Sequence, residues 1–256
     1  MIKDDYLVFL NDVSCKKPND FCGKDSKCPF CEREKLKDVL YKEGPYIFLK
    51  NKYVTLKDTD QFLIIETYTC EKQMHEYSEE YLKKLIRFSM KMFIKLESSN
   101  KYKSVIFYKN YGKNSGGSLK HPHMQIVGLK NIDYRQNITK ENFEGISIYD
   151  NNKCSVTLSD MPINAFTEFN IIINDDLNCI DEFSCCILKT IKYILYDYFA
   201  ECRSFNLFFY HYNEKIICKV CPRFLTSPLI LGYKIKQISN KLDHIAEGLK
   251  NKYFKD

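Results

Sequence analysis

The sequence is poor in glycine and proline and contains no long hydrophobic run. Nine glycines and seven prolines among 256 residues, beside a hydrophobic fraction of 45%, exclude collagen-like, fibrous and disordered chains. No apolar run approaches the roughly 18 residues that a membrane-spanning helix requires. The N-terminal stretch MIKDDYLVFLNDV places acidic residues before a very short apolar segment. We therefore expect a globular cytoplasmic protein without a signal peptide or membrane anchor.

The sequence also lacks the motifs of nucleic-acid-binding proteins. Its net charge of +6 comes from lysines spread along the chain, and it has no RNP motif, zinc-finger array or basic helix. We expect no nucleic-acid partner, whereas a small polyanionic substrate fits the charge. Because a chain of this length buries an adequate core, the twelve cysteines are expected to be reduced thiols.

The order of predicted elements in the first half of the chain recurs in the second. Aromatic and β-branched residues predict strands, and apolar residues spaced by three and four predict helices. The first half is predicted as strands 46–49 and 62–67, a helix from Ser78, strand 104–108, a loop through Ser118 and a strand to Leu129. The second half is predicted as strand 169–173, a helix over 183–198, strands 206–210 and 215–220, and a closing helix from Lys234. The pattern favours duplication of an α+β unit, and a coincidence between two short patterns is the alternative.

Glycine is concentrated in one loop. Three of the nine glycines, Gly112, Gly116 and Gly117, fall within the segment 112–118, called here the glycine loop. Consecutive glycines let main-chain N–H groups approach an anion, and Ser118 adds a hydroxyl donor. An ordinary connection between strands is the alternative interpretation.

Two of the five histidines follow this loop at once, in the segment His121-Pro-His123-Met-Gln125. Residues two apart on a strand share a face, so His121, His123 and Gln125 are predicted to point the same way. Structural histidines with satisfied hydrogen bonds are the alternative. A polar face beside a glycine loop favours a catalytic site.

The run Asn110-x-Gly-x3-Gly-Gly-Ser-x2-His-Pro-His-x-Gln125 resembles the active-site segment of galactose-1-phosphate uridylyltransferases and related phosphorylases of the histidine-triad (HIT) superfamily. Upstream, Lys16-Lys17-Pro18 is similar to the family's basic-basic-proline segment, and Asn51-Lys52-Tyr53 to its nucleoside-pocket strand. The resemblance covers the first 130 residues, and the second half matches in element order rather than in motif. It implies an α+β fold of two HIT-like halves, residues 1–135 and 136–256, each an antiparallel sheet with a packed helix, with the second half degenerate. The chain is shorter than the sugar-phosphate enzymes and resembles an uncharacterised bacterial branch, so the resemblance does not imply a particular substrate.

The resemblance also implies the role of each residue in the segment. His123 attacks the α-phosphorus of a nucleotide to form a covalent nucleotidyl-histidine, while the carbonyl of His121 accepts the other ring N–H. Gln125 stands where hydrolase relatives carry a third histidine. Because an amide donates a hydrogen bond but cannot protonate a leaving group, it favours transfer between phosphates over hydrolysis. Backbone donors of Gly116 and Gly117, with Ser118 and Gln125, stabilise charge on the α-phosphoryl group in the transition state, which makes Ser118 a third predicted catalytic residue. The predicted binding residues are Asn110, Gly116, Gly117, Lys16, Lys17 and Asn51.

The resemblance further implies a structural zinc ion. Cys28-x2-Cys31 is similar to the family's first zinc pair, and His121 to the third ligand. Cys70 stands where a histidine is usual, and a thiolate ligates zinc equally well. His75 as the fourth ligand, or no metal, are the alternatives.

The second half offers no equivalent set of residues. Cys218-x2-Cys221 is interpreted as core thiols rather than a second metal site. Lys219 and Arg223 alternate with apolar residues and are predicted to face the phosphate of an acceptor.

The sequence thus predicts a zinc-containing, ping-pong nucleotidyltransferase similar to UDP-glucose–hexose-1-phosphate uridylyltransferase. Its partners are a nucleotide sugar or nucleotide and a phosphate-bearing acceptor, and the resemblance implies a homodimer. A nucleotide phosphorylase of the ADP-glucose or dinucleoside polyphosphate type is one alternative. A regulatory protein that binds nucleotides without turnover is the other. Lys52 replaces the acidic residue that the sugar-phosphate enzymes carry, which weakens the case for uridine.

Overall fold

A computed structural model describes residues 6–19, 28–164 and 166–255. The described residues form one sheet of ten antiparallel strands with helices packed against it. The strands are β1 (Val39–Glu43), β2 (Tyr46–Lys50), β3 (Thr59–Ile65), β4 (Ser104–Tyr111), β5 (His123–Leu129), β6 (Gly145–Asp150), β7 (Ser155–Ser159), β8 (Phe169–Asn174), β9 (Phe205–Tyr212) and β10 (Lys215–Pro222). The α-helices are α1 (Asn11–Ser14), α2 (Glu79–Glu97), α3 (Ile180–Tyr196), α4 (Pro228–Tyr233) and α5 (Leu242–Leu249).

The strand order shows the repeat directly. It is β1-β2-β3-β5-β4 in the first half, and β6-β7-β8-β10-β9 in the second, and the halves join where β4 pairs with β9. Each half has one long helix, and α2 and α3 lie side by side. The predicted α+β class with its antiparallel sheet is confirmed.

The long helices cover one face of the sheet and form the main core with it. Helix α2 begins at Ser78, whose Oγ accepts a hydrogen bond from the Tyr81 amide, as the capping pattern predicts. On β5 the side chains of Met124 and Ile126 point into this core, so His123 and Gln125 lie on the opposite face of the sheet. That opposite face carries the candidate site.

The predicted closing helix is corrected by the structure. Lys234 does not begin a helix; it ends α4 with a left-handed backbone at φ 55°. The chain becomes helical again at Leu242. The apolar spacing after Lys234 therefore extends across a helix break.

No helix among the described residues is long and apolar enough to span a membrane. Residues 1–5 of the N-terminal stretch, on which the signal-peptide expectation depends, lie outside the described residues.

Lys219 is not available to a substrate, so its predicted contact with an acceptor phosphate is wrong. It lies on the face of β10 that corresponds to the His123 face of β5, but its side chain is only 1% exposed. Its Nζ pairs with the Glu168 carboxylate at 2.8 Å and donates to the Asn142 carbonyl at 2.8 Å. Phe143, from the segment that precedes β6, packs over it. In the second half, the segment that precedes β6 therefore covers this face of the sheet at Lys219.

The thiols of Cys218 and Cys221 are both buried. Because the two residues are three apart on β10, their side chains leave opposite faces of the sheet. Burial raises the pKa of both thiols well above the usual value. They are core thiols, as interpreted from the sequence.

Breaking the buried Lys219–Glu168 pair should be costly. Burial alone would raise the pKa of Glu168, but the Lys219 ammonium and two backbone N–H groups lower it, so the carboxylate is charged. Lys219→Met leaves that charge unpaired and should lower the free energy of unfolding by about 3–5 kcal/mol. Denaturant titration measures the change. Lys215→Met, at the exposed start of the same strand, should change it by less than about 0.5 kcal/mol; equal effects would contradict the assignment.

Candidate functional site

A cavity of about 340 Å³ opens on the face of the sheet opposite the long helices. Its floor includes His123 and Gln125 from β5, and its walls include Lys17, Asn51 and Phe30. The remaining lining residues combine apolar side chains with lysines and two acids: Pro18, Pro29, Glu32, Lys35, Leu36, Lys37, Asp38, Leu49, Lys50, Lys52, Tyr53, Leu63 and Leu119. Apolar walls beside a few polar groups are typical of a small-molecule site, and the lysines favour an anion.

His123 is held in one tautomer by its neighbour. Its Nδ1 lies 2.8 Å from the carbonyl oxygen of His121, which can only accept, so Nδ1 carries the proton and donates it. The lone pair is then on Nε2. Burial lowers the pKa of His123 to about 3, so the ring is neutral at pH 7. A neutral imidazole with one pinned nitrogen is arranged as a nucleophile.

Four side chains that the sequence associates with zinc converge beside this histidine. The Cys28, Cys31 and Cys70 thiols and the His121 ring place one ligand atom each within 4.8 Å of all the others. The His121 Nδ1 lies 3.5, 3.5 and 3.3 Å from the three sulfurs. Ligands of a tetrahedral zinc ion are separated by about 3.5–3.8 Å, as zinc–sulfur and zinc–nitrogen bonds of about 2.3 and 2.0 Å require. The donor set and its spacing fit a metal such as zinc.

The rest of the His121 ring is arranged as in a metal site. Its Nε2 lies 3.2 Å from the Thr67 carbonyl oxygen, which fixes the tautomer that leaves Nδ1 without a proton. The ring is fully buried. Because β5 begins at His123, His121 precedes the strand and belongs to the ligand cluster rather than to the cavity lining, which corrects the prediction of a face shared with His123 and Gln125.

The Cys28–Cys31 turn connects the ligand cluster to the cavity through Phe30. The Phe30 ring meets the His121 and His123 rings edge-on, at centroid distances of 5.6 and 5.4 Å. Phe30 also lines the cavity. A metal that fixed the two cysteines would therefore fix one wall against His123.

His75, the alternative fourth ligand, lies outside the cluster. Its ring packs against Tyr111 and Tyr196, at centroid distances of 5.3 and 6.0 Å. The structure brings Cys70, and not His75, to the other three ligands.

The glycine loop follows β4 and precedes β5 along the chain. Gly112 and Gly116 have φ values of +82° and +84°, which non-glycine residues rarely adopt. The turn Lys113–Ser115 between them is closed by a 2.7 Å hydrogen bond from Ser115 Oγ to the Gly112 carbonyl. Backbone conformation thus accounts for two of the three glycines in this loop, and the contact of the loop with an anion stays a prediction.

The remaining predicted binding residues have different positions. Lys17 and Asn51 line the cavity, and the Asn51 Oδ1 accepts a hydrogen bond of 2.9 Å from the Tyr53 amide. Asn110 lines a second opening of about 260 Å³ that shares Leu119 with the first. Four of the predicted site residues line neither opening: Lys16, Gly116, Gly117 and Ser118. Arg223, predicted to face an acceptor, lines a separate small cavity in the second half.

A buried ion pair beneath the site was missed by the sequence reasoning. The Lys109 Nζ lies 2.5 Å from a Glu66 oxygen and 3.4 Å from the His123 carbonyl, and both side chains are fully buried. The Tyr77 hydroxyl donates to the other Glu66 oxygen at 3.1 Å. The sequence feature that could have indicated this pair is Lys109 itself, which lies two residues from Phe107 on the core-facing side of β4. Asn206, which contacts the glycine loop from β9, was also missed.

Comparison with known proteins identifies the family. Two family models match, described as the N-terminal and C-terminal domains of a domain of unknown function (DUF4931), over residues 9–132 and 135–254. A crystal structure of a DUF4931 family protein from Bacillus cereus ATCC 10987 is 50% identical, with a TM-score of 0.78, and the match covers 85% of this chain and 100% of that one. A comparison with curated protein sequences finds no match.

More distant solved structures share the fold. A uridylyltransferase is 13% identical, with a TM-score of 0.71 and 92% of each chain covered. An ADP-glucose phosphorylase from Arabidopsis thaliana, solved with bound ADP-glucose, is 13% identical, with a TM-score of 0.72 and 94% of each chain covered. The resemblance to the galactose-1-phosphate uridylyltransferase-like branch of the HIT superfamily is thereby confirmed at the level of the fold. The chain belongs to the DUF4931 family, and it shares its fold with the uridylyltransferase and the ADP-glucose phosphorylase.

Proposed function

We propose that this protein is a nucleotidyltransferase that acts through a covalent nucleotidyl-histidine on His123. The observation that carries the proposal is the 2.8 Å contact between His123 Nδ1 and the His121 carbonyl, made by a histidine that lines the cavity. This contact keeps the proton on Nδ1, so the lone pair on Nε2 is available to attack a substrate. The fold shared with a uridylyltransferase and an ADP-glucose phosphorylase supports it.

The proposed reaction has two displacements at the same phosphorus atom. The His123 Nε2 lone pair attacks the α-phosphorus of a nucleoside diphosphate compound, and the bond to the bridging oxygen breaks, with its electron pair leaving on the departing phosphate. A phosphate oxygen of the acceptor then attacks this phosphorus. The phosphorus–nitrogen bond breaks, and its electron pair returns to Nε2. The proton on Nδ1 stays at the His121 carbonyl throughout, so no separate base is needed.

Gln125 selects the kind of leaving group. It lies two residues beyond His123 on the same face of β5 and lines the cavity. Its amide donates a hydrogen bond to a phosphoryl oxygen but cannot supply a proton. Phosphates leave without protonation, whereas alkoxides and amines do not. The site therefore favours transfer from a nucleotide sugar or nucleotide to a phosphate-bearing acceptor, including inorganic phosphate. A cytoplasmic location and a homodimer stay predictions.

Zinc is the metal we propose for the ligand cluster, held by Cys28, Cys31, Cys70 and His121. When bound it supplies structural cross-linking between the N-terminal segment and the start of β5. The residues of the chain do the rest. His121 presents its carbonyl to His123, and Phe30 packs against both rings.

Metal content tests the ligand assignment. Protein purified without chelators should contain about one zinc ion per chain by elemental analysis. Cys70→Ser should lose most of it, because a hydroxyl is a poor zinc ligand. His75→Gln should retain it, and so should Cys185→Ser, which replaces a half-buried thiol outside the cluster. Zinc lost from His75→Gln but not from Cys70→Ser would contradict the assignment.

Intact-protein mass spectrometry tests the proposed function. The parent protein is incubated separately with UDP-glucose, ADP-glucose, UTP and diadenosine tetraphosphate, and analysed at neutral to alkaline pH, because phosphoramidates hydrolyse in acid. One donor should add the mass of a nucleoside monophosphate less one water molecule to the parent, as a phosphorus–nitrogen bond requires, and nothing to His123→Ala. The mass increment identifies the base.

His244→Gln, which changes a histidine of α5 far along the chain from the site, is the matched control and should form the adduct like the parent. Nucleotide binding by the parent without any adduct from the four donors would contradict the covalent route and favour a regulatory protein. An adduct that persists in His123→Ala would place the nucleophile elsewhere.

A further inference from the structure

The glycine loop is held by side chains that the second half of the chain supplies. Asn206 in β9 is only 2% exposed and lies directly opposite Asn110 of β4, at the seam between the halves. Its Nδ2 lies 2.7 Å from Asn110 Oδ1, 3.1 Å from the Ser115 carbonyl oxygen and 3.3 Å from the Lys109 carbonyl oxygen. One amide group thus joins the end of β4 to the turn inside the loop.

These three acceptors fix the orientation of two amides. Two of the partners are main-chain carbonyl oxygens, which can only accept, so the Asn206 NH₂ must face them. The Asn110 side chain then turns its Oδ1 toward Asn206. Its remaining group, the Nδ2 donor, is left for other partners. Asn110 also contacts the other end of the loop, since a Cβ placed on Gly117 would lie 3.2 Å from the Asn110 Cβ.

A second contact fixes the beginning of the loop. A Cβ on Gly112 would lie 2.3 Å from Ser204 Oγ and 2.4 Å from the Arg203 carbonyl oxygen, so only glycine lets the loop pack this closely on the second half. The Ser204 Oγ accepts a hydrogen bond of 3.2 Å from the Asn114 amide. The loop therefore rests on two polar side chains just before and within β9.

We propose that Asn206 is a positioning residue for nucleotidyl transfer. It acts through Asn110 and the glycine loop. Asn110 and Gly112 line the second opening, which shares Leu119 with the cavity, and from there the Asn110 Nδ2 would donate to the α-phosphoryl oxygens of the donor. The inference rests on the proposed function. It gives the second half, whose own face is filled around Lys219, a defined part in the site. Hydrogen-bond donors that contact the substrate best in the transition state affect the rate of turnover more than they affect binding of the ground state.

The experiment compares four variants with the parent. Asn206→Ala removes the donor without adding charge, and Asn206→Asp keeps the shape but presents an acceptor to three acceptors. Asn170→Ala and Asn170→Asp are matched controls. Asn170 is another fully buried asparagine of the same half, and its Nδ2 donates to Thr157 Oγ1, within that half.

Two readouts are taken on each protein. The first is hydrogen–deuterium exchange of the peptide that covers residues 112–118, which requires no catalysis. It should speed up by about tenfold or more in both Asn206 variants and in neither control, while peptides of α2 and α3 exchange as in the parent. The second is the rate of adduct formation with the active donor. At saturation it should fall about 10- to 100-fold in Asn206→Ala, with less than about a threefold change in the half-saturating donor concentration.

The outcomes separate this inference from the proposed function. Unchanged loop exchange in both Asn206 variants overturns the positioning role, whatever the activity. Faster loop exchange with an unchanged adduct rate also overturns it. Equal losses in the Asn206 and Asn170 variants show a general effect on the sheet and overturn it too. Should the parent form no adduct, the proposed function fails, while selective loop exchange in the Asn206 variants still supports the contact that holds the loop.

Discussion

The hydrogen bond from His123 Nδ1 to the His121 carbonyl is the interaction on which the arrangement of the site depends. It determines which ring nitrogen has a lone pair, and so which atom can attack a phosphorus. The carbonyl is held from both sides. The ring of the same residue, His121, lies between the three thiols and the Thr67 carbonyl. Two residues further along the chain, β5 begins and pairs with β3 and β4. Beneath the strand, the buried Lys109 ammonium contacts the His123 carbonyl, with the Glu66 carboxylate as its counter-charge. A buried ion pair of this kind is expensive to break, which suits a position that must not move.

The two halves have the same strand order, but the faces of the sheet opposite the long helices differ between them. In the first half, this face holds a cavity with His123 and Gln125 on its floor. In the second, Lys219 turns inward to Glu168, and Phe143 covers it. The seam between β4 and β9 joins the two, and at this seam Asn206 reaches across to the glycine loop. The second half thus contributes a buried side chain to a loop of the first half.

Much of this arrangement could be predicted from the sequence, for reasons that are local. The α2 cap at Ser78, the apolar side of the helices and the strand around Met124 follow from short-range periodicity. Cys70 was found because alignment to the family places it where a histidine ligand is usual. The features that were not predicted either lie in the edge strands of the sheet or depend on contacts between residues far apart in the sequence. The exposed edge strands β1 and β6 carry too few buried residues for an alternating pattern. The Lys109–Glu66 pair and the Asn206 contacts join residues 43 and 91 to 97 positions apart, which no local pattern encodes. Lys219 was misjudged because a lysine between apolar residues looks alike whether it faces solvent or a buried carboxylate.

The most direct test of the account is the tautomer of His123, read by NMR of protein labelled with ¹⁵N-histidine. Long-range proton–nitrogen correlations distinguish a protonated from an unprotonated ring nitrogen, and the spectrum of His123→Ala assigns the signal among the five histidines. The account predicts a neutral His123 at pH 7 with the proton on Nδ1 and the lone pair on Nε2. In the same spectrum His121 should show the reverse, with its proton on Nε2. A proton on Nε2 of His123 would mean that the His121 carbonyl does not orient the ring, and it would contradict the proposed nucleophile.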